Sequence, residues 1–105
     1  VRSRGRTYFV KLRDVDWIEA AGNYVTLHTG ERSHLVRGTM RRLEGLLDPA
    51  RFVRVHRSAI VAIERVAHVE PTPSGDYRLT LTSGAVVASG ETYRARVQAL
   101  LDSPL

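Results

Sequence analysis

The chain has 105 residues, of which 43% are hydrophobic and 26% charged, a composition typical of a single globular domain with its own core. It has no apolar run of the roughly 20 residues that a membrane-spanning helix needs, and with no cysteine it can form neither disulfides nor thiolate metal sites. The composition fits a cytoplasmic protein. The formal net charge is +5, and Lys11 is the only lysine among 16 basic residues, so the charge favours a polyanionic partner.

Short β-type segments, with turn residues every eight to twelve positions, predict a mostly β chain with no internal repeat and no linker. The predicted strands cover residues 8–11, 15–20, 24–29, 33–37, 52–55, 66–70, 77–81 and 85–88. Gly30 and Glu31 predict a two-residue hairpin turn, because glycine tolerates the positive φ that such a turn requires. Opposite residues then sum to 61, so that His28 faces Ser33 and His34 faces Leu27.

Two short helices are predicted between and after these strands. Thr39 can cap the first helix, in which four apolar side chains share one face: Met40, Leu43, Leu46 and Leu47. Ser89 can cap the second, which covers residues 91–101 and places Tyr93, Val97, Leu100 and Leu101 on one face. Neither helix is long enough to act as the recognition helix of a helix-turn-helix protein.

The segment RFVRVHRSAIVAIERV, residues 51–66, interrupts an apolar run with His56, Arg57 and Ser58. Sequence neighbours seldom aim their side chains at one point, so these three do not resemble a catalytic site, and no nucleophile elbow or phosphate-binding glycine loop occurs elsewhere. The histidines lack metal-ligand spacing, and His28 and His34 point to opposite faces of their hairpin. The sequence therefore predicts no enzyme, cofactor, metal or small-molecule substrate, and an exposed turn at residues 56–58.

Arginines cluster near predicted loops and helix starts, where donors can reach phosphates. The three clusters are Arg37, Arg41 and Arg42, then Arg51, Arg54 and Arg57, and finally Arg94 and Arg96. Aromatic stripes that stack RNA bases are not evident, which favours duplex DNA. Two alternatives remain open: any single arginine can serve solubility alone, and a β-rich protein-interaction module could use the same basic face to bind an acidic partner.

Four segments resemble the LytTR DNA-binding domain, the output domain of LytR/AlgR-like bacterial response regulators, in order and in spacing. They are WIEAAGNYVTLHT (17–29), HLVRGTMRRLEGLL (34–47), RFVRVHRSAIV (51–61) and SGETYRARV (89–97). The resemblance extends from about Tyr8 to Leu101. It implies antiparallel strands in small stacked sheets with a short helix packed against them, and loops, rather than a recognition helix, inserted into successive major grooves of double-stranded DNA.

The resemblance also implies which residues contact DNA. The first loop contains Asn23, Tyr24 and Val25, the second contains Arg57, and the third runs from Ser89 to Arg94, while Arg37 adds a phosphate contact from the arginine clusters. His56 is expected to hydrogen-bond or pack beneath the second loop and position it. Arg57 is expected to reach base edges or phosphate, and Asn23 is the expected polar residue that contacts bases. Ser89 and Arg94 are expected to hold the backbone near the terminal helix.

The family further implies that residues 1–105 form one domain of a longer transcription regulator, which acts as a homodimer on repeated half-sites with no membrane involvement. This chain departs from the family at two places. Ala62 occupies a position where asparagine is usual, and Gly90 and Glu91 follow Ser89 where arginine is usual. A carboxylate there repels phosphate. Three explanations remain open: the third loop contributes less to DNA binding, Glu91 accepts a hydrogen bond from a cytosine amino group, or Glu91 only supports the start of the last helix.

Overall fold

A computed structural model describes residues 2–3, 5–7 and 9–102, and within them the chain forms ten β-strands and two α-helices. The strands are β1 (Arg2–Ser3), β2 (Arg6–Thr7), β3 (Trp17–Ala21), β4 (Tyr24–Thr29), β5 (Arg32–Arg37), β6 (Phe52–His56), β7 (Ala59–Ala62), β8 (Val66–Pro71), β9 (Tyr77–Leu81) and β10 (Val86–Ala88). The helices are α1 (Met40–Leu46) and α2 (Arg94–Asp102), and 3₁₀ turns cover Leu12–Asp14, Ile63–Arg65 and Glu91–Tyr93. Neither helix in this described part of the chain is long and apolar enough to cross a membrane.

All strand pairs are antiparallel and form small separate sheets. The largest sheet has five strands in the order β5-β4-β3-β7-β6, a second has the order β10-β9-β8, and β1 pairs with β2. With a short internal helix and a C-terminal helix, this architecture confirms the predicted fold class.

Strand β7 lies at the centre of the molecule and is buried along its whole length. Ile60 and Ala62 belong to a core cluster that includes Met40 at the start of α1. Ala59 and Val61, whose side chains alternate with them, belong to a second cluster that includes Leu79 in β9 and Val97 in α2. The five-stranded sheet is therefore covered by α1 on one face and by the second sheet and α2 on the other. Because both faces of β7 are covered, all four of its residues are apolar.

The hairpin of β4 and β5 has the predicted register. Thr29 pairs with Arg32, so Gly30 and Glu31 form the turn, and Gly30 has a φ of 66°. His28 faces Ser33 and His34 faces Leu27, which places the two imidazoles on opposite faces of the sheet.

Several local predictions are wrong. In the strand predicted at residues 8–11, Tyr8 lies outside the described residues, and residues 9–11 form no strand but lead into the first 3₁₀ turn. Leu46 is 72% exposed, whereas Met40 and Leu43 of α1 and the C-cap residue Leu47 pack in or against the core cluster. Leu101 in the last turn of α2 is 49% exposed. Residues 91–93 form a 3₁₀ turn rather than the first turn of α2.

Two aromatic residues of the large sheet differ in burial. Phe52 is 6% exposed and lies in the core cluster that contains α1. Trp17 is only half-buried, and it stacks on His28 with ring centroids 4.3 Å apart and an angle of 8° between the planes. Because Trp17 and His28 are directly opposite each other on β3 and β4, the stack stabilises this strand pair from its more exposed face.

Asp16 is a buried carboxylate at the start of β3, with 2% of its surface exposed. Its Oδ2 accepts a hydrogen bond from the backbone N–H of Gly30 at 2.8 Å, and its Oδ1 lies 3.3 Å from Nη1 of Arg65. A single side chain thus ties the β4–β5 turn to the 3₁₀ turn after β7, and both of its oxygens have partners, as a buried charge requires.

We expect Asp16→Ala to lower the free energy of unfolding by about 1.5 kcal/mol, because it removes charge-assisted hydrogen bonds and leaves a donor unpaired. Urea unfolding followed by Trp17 fluorescence measures the change. Asp14→Ala is the matched control, since Asp14 is exposed in the preceding 3₁₀ turn. Equal destabilisation by the two substitutions would show that the contacts of Asp16 add nothing to stability.

Candidate nucleic-acid interface

The predicted first and second loops lie side by side at one end of the five-stranded sheet. Ala21 pairs with Tyr24, so Gly22 and Asn23 form the β3–β4 turn, and His56 pairs with Ala59, so Arg57 and Ser58 form the β6–β7 turn. Because β3 and β7 are antiparallel neighbours, both turns project from the same end. The N–H of Ala20 donates to the carbonyl of Ser58 at 2.9 Å and links them directly.

The third loop and the end of β5 reach the same end of the sheet. Arg37 pairs with Tyr24 across the β4–β5 hairpin, and the N–H of Gly90 donates to the carbonyl of Val55 in β6 at 2.8 Å. We call this region the loop edge, and define it as residues 22–24, 37, 57–58 and 89–94. Strand register and the backbone hydrogen bond from Gly90 to Val55 therefore bring together three loops that are separated by more than 30 residues along the chain.

The predicted site residues of the first loop and of β5 differ in exposure. Asn23, Tyr24 and Arg37 are exposed, and the carbonyl of Asn23 is fixed by the N–H of Gly38 at 3.0 Å. Val25 is 1% exposed and packs in the core cluster that contains α1. Strand alternation could have indicated this difference, since an outward Tyr24 turns the next side chain inward. The side chain of Val25 supports the loop and is not at its surface.

The β6–β7 turn is held from inside by His56. Its Nδ1 lies 3.1 Å from the backbone N–H of Ser58 and 2.8 Å from Ser58 Oγ. Because a backbone N–H can only donate, Nδ1 is the acceptor, and the imidazole carries its proton on Nε2 in this arrangement. The expected positioning role of His56 agrees with these contacts.

Arg54 supports the same turn from its other side. Its Nε donates to the carbonyl of His56 at 3.4 Å, and its Nη2 donates to the carbonyl of Arg57 at 2.6 Å. The Arg57 side chain is itself exposed and makes no ion pair within residues 9–102. The turn is thus braced at its backbone while the guanidinium of Arg57 stays available to a ligand.

A β-bulge allows the third loop to approach the second. The β6–β7 register shifts between Arg54 and His56, and the carbonyl of Val55 between them bonds to Gly90 instead of to β7. A Cβ at Gly90 would lie 3.1 Å from Cδ2 of His56, closer than ordinary van der Waals contact. The absence of a side chain at Gly90 therefore lets the two loops pack against each other.

The prediction that Ser89 caps the terminal helix is wrong. The 3₁₀ turn that precedes α2 begins after Gly90 and has no side-chain cap. Ser89 is 4% exposed, and its Oγ accepts a hydrogen bond from the N–H of Tyr77 at 2.9 Å. The Ser89 N–H also donates to the Tyr77 carbonyl, so Ser89 extends the pairing of β10 with β9.

Arg94 is also engaged within the chain. Its Nε donates to Oδ1 of Asp76 at 2.7 Å and its Nη2 donates to the carbonyl of Ser74 at 3.2 Å. The hydrogen bond to Asp76 raises the pKa of Arg94. Arg94 thereby holds the loop between β8 and β9 against α2, although 41% of its side chain remains exposed.

A carboxylate that the sequence did not single out lies behind the loop edge. Glu44 in α1 accepts from Nη1 of Arg54 at 3.4 Å through one oxygen, and pairs with Arg96 of α2 through the other. Both guanidinium groups also lie over the ring of Tyr93, at 5.4 and 5.0 Å from its centroid. Burial by itself would raise the pKa of Glu44, but the hydrogen bonds and charges of Arg96 and Arg54 outweigh it, and the pKa is lowered.

No three histidine, aspartate or glutamate side chains in the described part of the chain are grouped to hold a metal ion. The sequence model of the LytTr DNA-binding domain matches residues 5–102. The chain belongs to the LytTr DNA-binding domain family. This membership confirms the predicted resemblance and identifies a DNA-binding domain of the kind found in LytR/AlgR-like transcription regulators.

Curated relatives of this LytTr domain are bacterial regulators. This chain is 35% identical over 96 residues to the CO-responsive transcriptional regulator RcoM of Rhodospirillum rubrum. The matched region covers 90% of this chain and 41% of that protein. The chain is 29% identical over 92 residues to the sensory transduction protein LytT of Bacillus anthracis, covering 88% and 37% respectively. The chain thus spans about two-fifths of the length of these relatives.

A solved structure shares the fold of this LytTr domain. It is a LytTr DNA-binding domain from Bacillus cereus, with a TM-score of 0.82, 23% sequence identity, and coverage of 90% of this chain and 86% of that one. The similarity supports the arrangement of small antiparallel sheets and two helices described above.

The departures of this LytTr domain from its family pattern have different structural settings. Ala62 is 3% exposed within the core cluster that contains α1, and its N–H donates to the carbonyl of Asp16 at 2.9 Å. Gly90 fits against His56, as described above. Glu91 is exposed at the first position of the 3₁₀ turn, and its charge contributes to the raised pKa of Arg94.

Proposed function

We propose that this LytTr domain binds double-stranded DNA sequence-specifically by inserting its loops into successive major grooves. The observation that carries the proposal is the loop edge itself. Strand register and the backbone hydrogen bond from Gly90 to Val55 bring three loops together there, and Arg37 and Arg57 are exposed. Exposed arginines suit both phosphates and the O6 and N7 acceptors of guanine, and loops braced from behind hold them in a fixed register.

Within this proposal the site residues have different roles. Arg57 contacts base edges, and Asn23 contacts bases as a polar side chain from the neighbouring turn. Tyr24 and Arg37, which are paired across β4 and β5, meet the sugar-phosphate backbone. We assign Val25 and Ser89 to supporting the loops, because both side chains are buried.

The third loop makes the weaker contact. Arg94 is bonded to Asp76, so only its exposed part can meet a phosphate. Glu91 brings a carboxylate to the same loop, where it repels phosphate. We infer that Glu91 supports the start of the terminal helical segment and the charge of Arg94, rather than contacting DNA.

We further propose that residues 1–105 are a single output domain of a longer, cytoplasmic bacterial transcription regulator that acts without enzymatic activity. A sensor or receiver elsewhere in that regulator would supply the signal, and homodimers would occupy repeated half-sites. The relatives support this proposal, since one is named a transcriptional regulator and the other a sensory transduction protein, and both are more than twice as long as the matched region.

Titration of duplex DNA against salt tests the proposed function. If Arg37 and three further cations each neutralise one phosphate, log K should fall against log salt with a slope of about −3.6, since each phosphate contributes about −0.9. Fluorescence anisotropy with a random duplex pool at several salt concentrations measures the slope, and selection of bound sequences from that pool defines the preferred site.

The alternative function is a protein-interaction module with a basic face for an acidic partner. If the domain has this function instead, it should not bind duplex DNA even at low salt. That result would contradict the proposed DNA binding. If binding shows a steep salt slope but selection enriches no sequence, the domain binds DNA without sequence specificity.

A further inference from the structure

We propose that Arg54, held in place by Glu44, is a positioning residue that fixes the β6–β7 turn so that Arg57 meets a defined base. The inference rests on the proposed function and deepens it, because it assigns sequence selectivity to a residue that does not itself touch DNA. From sequence, Arg54 was grouped with arginines that could bind phosphate, and the structure gives it a different use.

The donors of Arg54 are already committed within the chain. Its guanidinium spans the carbonyls of His56 and Arg57, which are the residue before the turn and the first residue of the turn. The third side of the group faces Glu44. Only 15% of the Arg54 side chain is exposed, whereas Arg57 is an exposed residue. Three of the five N–H donors of Arg54 therefore have partners within the chain, and little of the side chain is exposed to a phosphate.

The fork shape of the guanidinium is essential to this role. Two carbonyls of adjacent residues and one carboxylate surround it on three sides, and a planar group with five N–H donors can serve all three at once. A lysine ammonium keeps the charge at this position but cannot span the same set of acceptors in a fixed plane. Arg54→Lys therefore separates charge from geometry.

Glu44 anchors Arg54 from outside the sheet. Its second oxygen pairs with Arg96 of α2, and Tyr93 lies beneath both guanidinium groups. The cluster connects α1, β6 and the third loop, so it couples the position of the second loop to that of the third. Since His56 contacts both Ser58 and Gly90, the turn is braced on both sides by groups that also contact the third loop or α2.

The first experiment measures backbone order in the free 105-residue chain by ¹⁵N relaxation. In Arg54→Lys, the order parameters of the Arg57 and Ser58 amides should fall from the rigid range near 0.85 to below about 0.6. The matched control is Arg51→Lys, because Arg51 lies beyond the other end of β6 and pairs with Glu64 only at 3.7 Å on an exposed surface. Glu44→Gln should lower the same order parameters by a smaller amount. This variant still tests the inference if Arg54→Lys does not fold.

The second experiment measures binding to two duplexes, one carrying the sequence selected by the wild-type chain and one scrambled. Arg54→Lys should weaken binding to the selected duplex about tenfold, within the range for one base contact, and leave binding to the scrambled duplex and the salt slope unchanged. Glu44→Gln should weaken binding to the selected duplex about threefold and should also leave binding to the scrambled duplex and the salt slope unchanged. A purely structural defect would lower binding to both duplexes through the folded fraction.

Two results would overturn the inference. Unchanged order parameters in Arg54→Lys would show that the turn does not depend on the guanidinium. Equal weakening on both duplexes, with a salt slope smaller by about 0.9, would show that Arg54 contacts phosphate directly. If the wild-type chain binds no duplex, the proposed function fails, whereas the order parameters still decide whether Arg54 positions the turn.

Discussion

Arg57→Ala is expected to weaken binding to the selected duplex by about 1–3 kcal/mol and to relax the sequence preference at one position of the site. The reason is geometric: the backbone of the β6–β7 turn is held by Arg54 and His56, while the Arg57 side chain is exposed beyond it. Anisotropy titrations and a repeated selection with the variant measure both effects.

Arg32→Ala is the matched control for this prediction. Arg32 is also exposed and on the same sheet, but it adjoins the Gly30 turn, at the end opposite to the loop edge. Its removal lowers the net charge equally and should leave the sequence preference intact. Identical affinity and preference in Arg57→Ala and the wild-type chain would show that Arg57 is not the base-contacting residue.

Ile60→Ala is expected to lower the free energy of unfolding by about 2–5 kcal/mol, because it removes a buried side chain and leaves a cavity. Ile60 is 1% exposed on the face of β7 that packs in the cluster with α1, and β7 pairs with both β3 and β6. A cavity there weakens the layer from which two of the loops project. Urea unfolding at constant m-value measures the loss.

Leu35→Ala provides the comparison for Ile60→Ala. Leu35 is 58% exposed on β5, so its truncation should change stability by less than about 0.5 kcal/mol. Comparable losses for the two variants would show that burial of Ile60 in the core cluster does not determine the loss of stability. DNA binding by Ile60→Ala, corrected for the folded fraction, should equal that of the wild-type chain, because Ile60 does not lie in the loop edge.

Much of the fold could be predicted because it depends on local signals. Gly30 takes the positive φ that set the hairpin register, and Thr39 caps α1 by accepting from the N–H of Arg42. The turn predicted at residues 56–58 also follows from a local contrast, since polar residues between two apolar strands favour a turn. Only Arg57 and Ser58 form it, however, because His56 is the last residue of β6 and its half-buried side chain supports the turn. In each case the determining contacts lie within a few residues along the chain.

Predictions for the third loop were less successful because its contacts are distant in sequence. Ser89 has the composition of a helix cap, but its hydroxyl bonds to Tyr77, 12 residues earlier. Arg94 is among the basic residues expected near DNA, but its guanidinium bonds to Asp76, 18 residues earlier. The residues next to Ser89 and Arg94 in sequence include neither partner. The pairing of β9 with β10 brings Ser89 to Tyr77, and the approach of α2 to the β8–β9 loop brings Arg94 to Asp76.

The sequence by itself determined the fold class, seven of the strands, the hairpin register and the family, because hydrophobic alternation, turn glycines and four ordered segments follow directly from the order of residues along the chain. It did not predict β7 as a separate strand, because the packing of other elements on both faces makes that segment uniformly apolar. Only the tertiary structure decided which arginines remain available at the loop edge. Arg57 is left exposed, whereas Arg54 and Arg96 are joined through Glu44, which lies 10 residues before the first and 52 before the second. The cause is physical: a guanidinium takes the acceptors that packing places around it, and packing here joins α1, β6 and α2, which are far apart in the sequence.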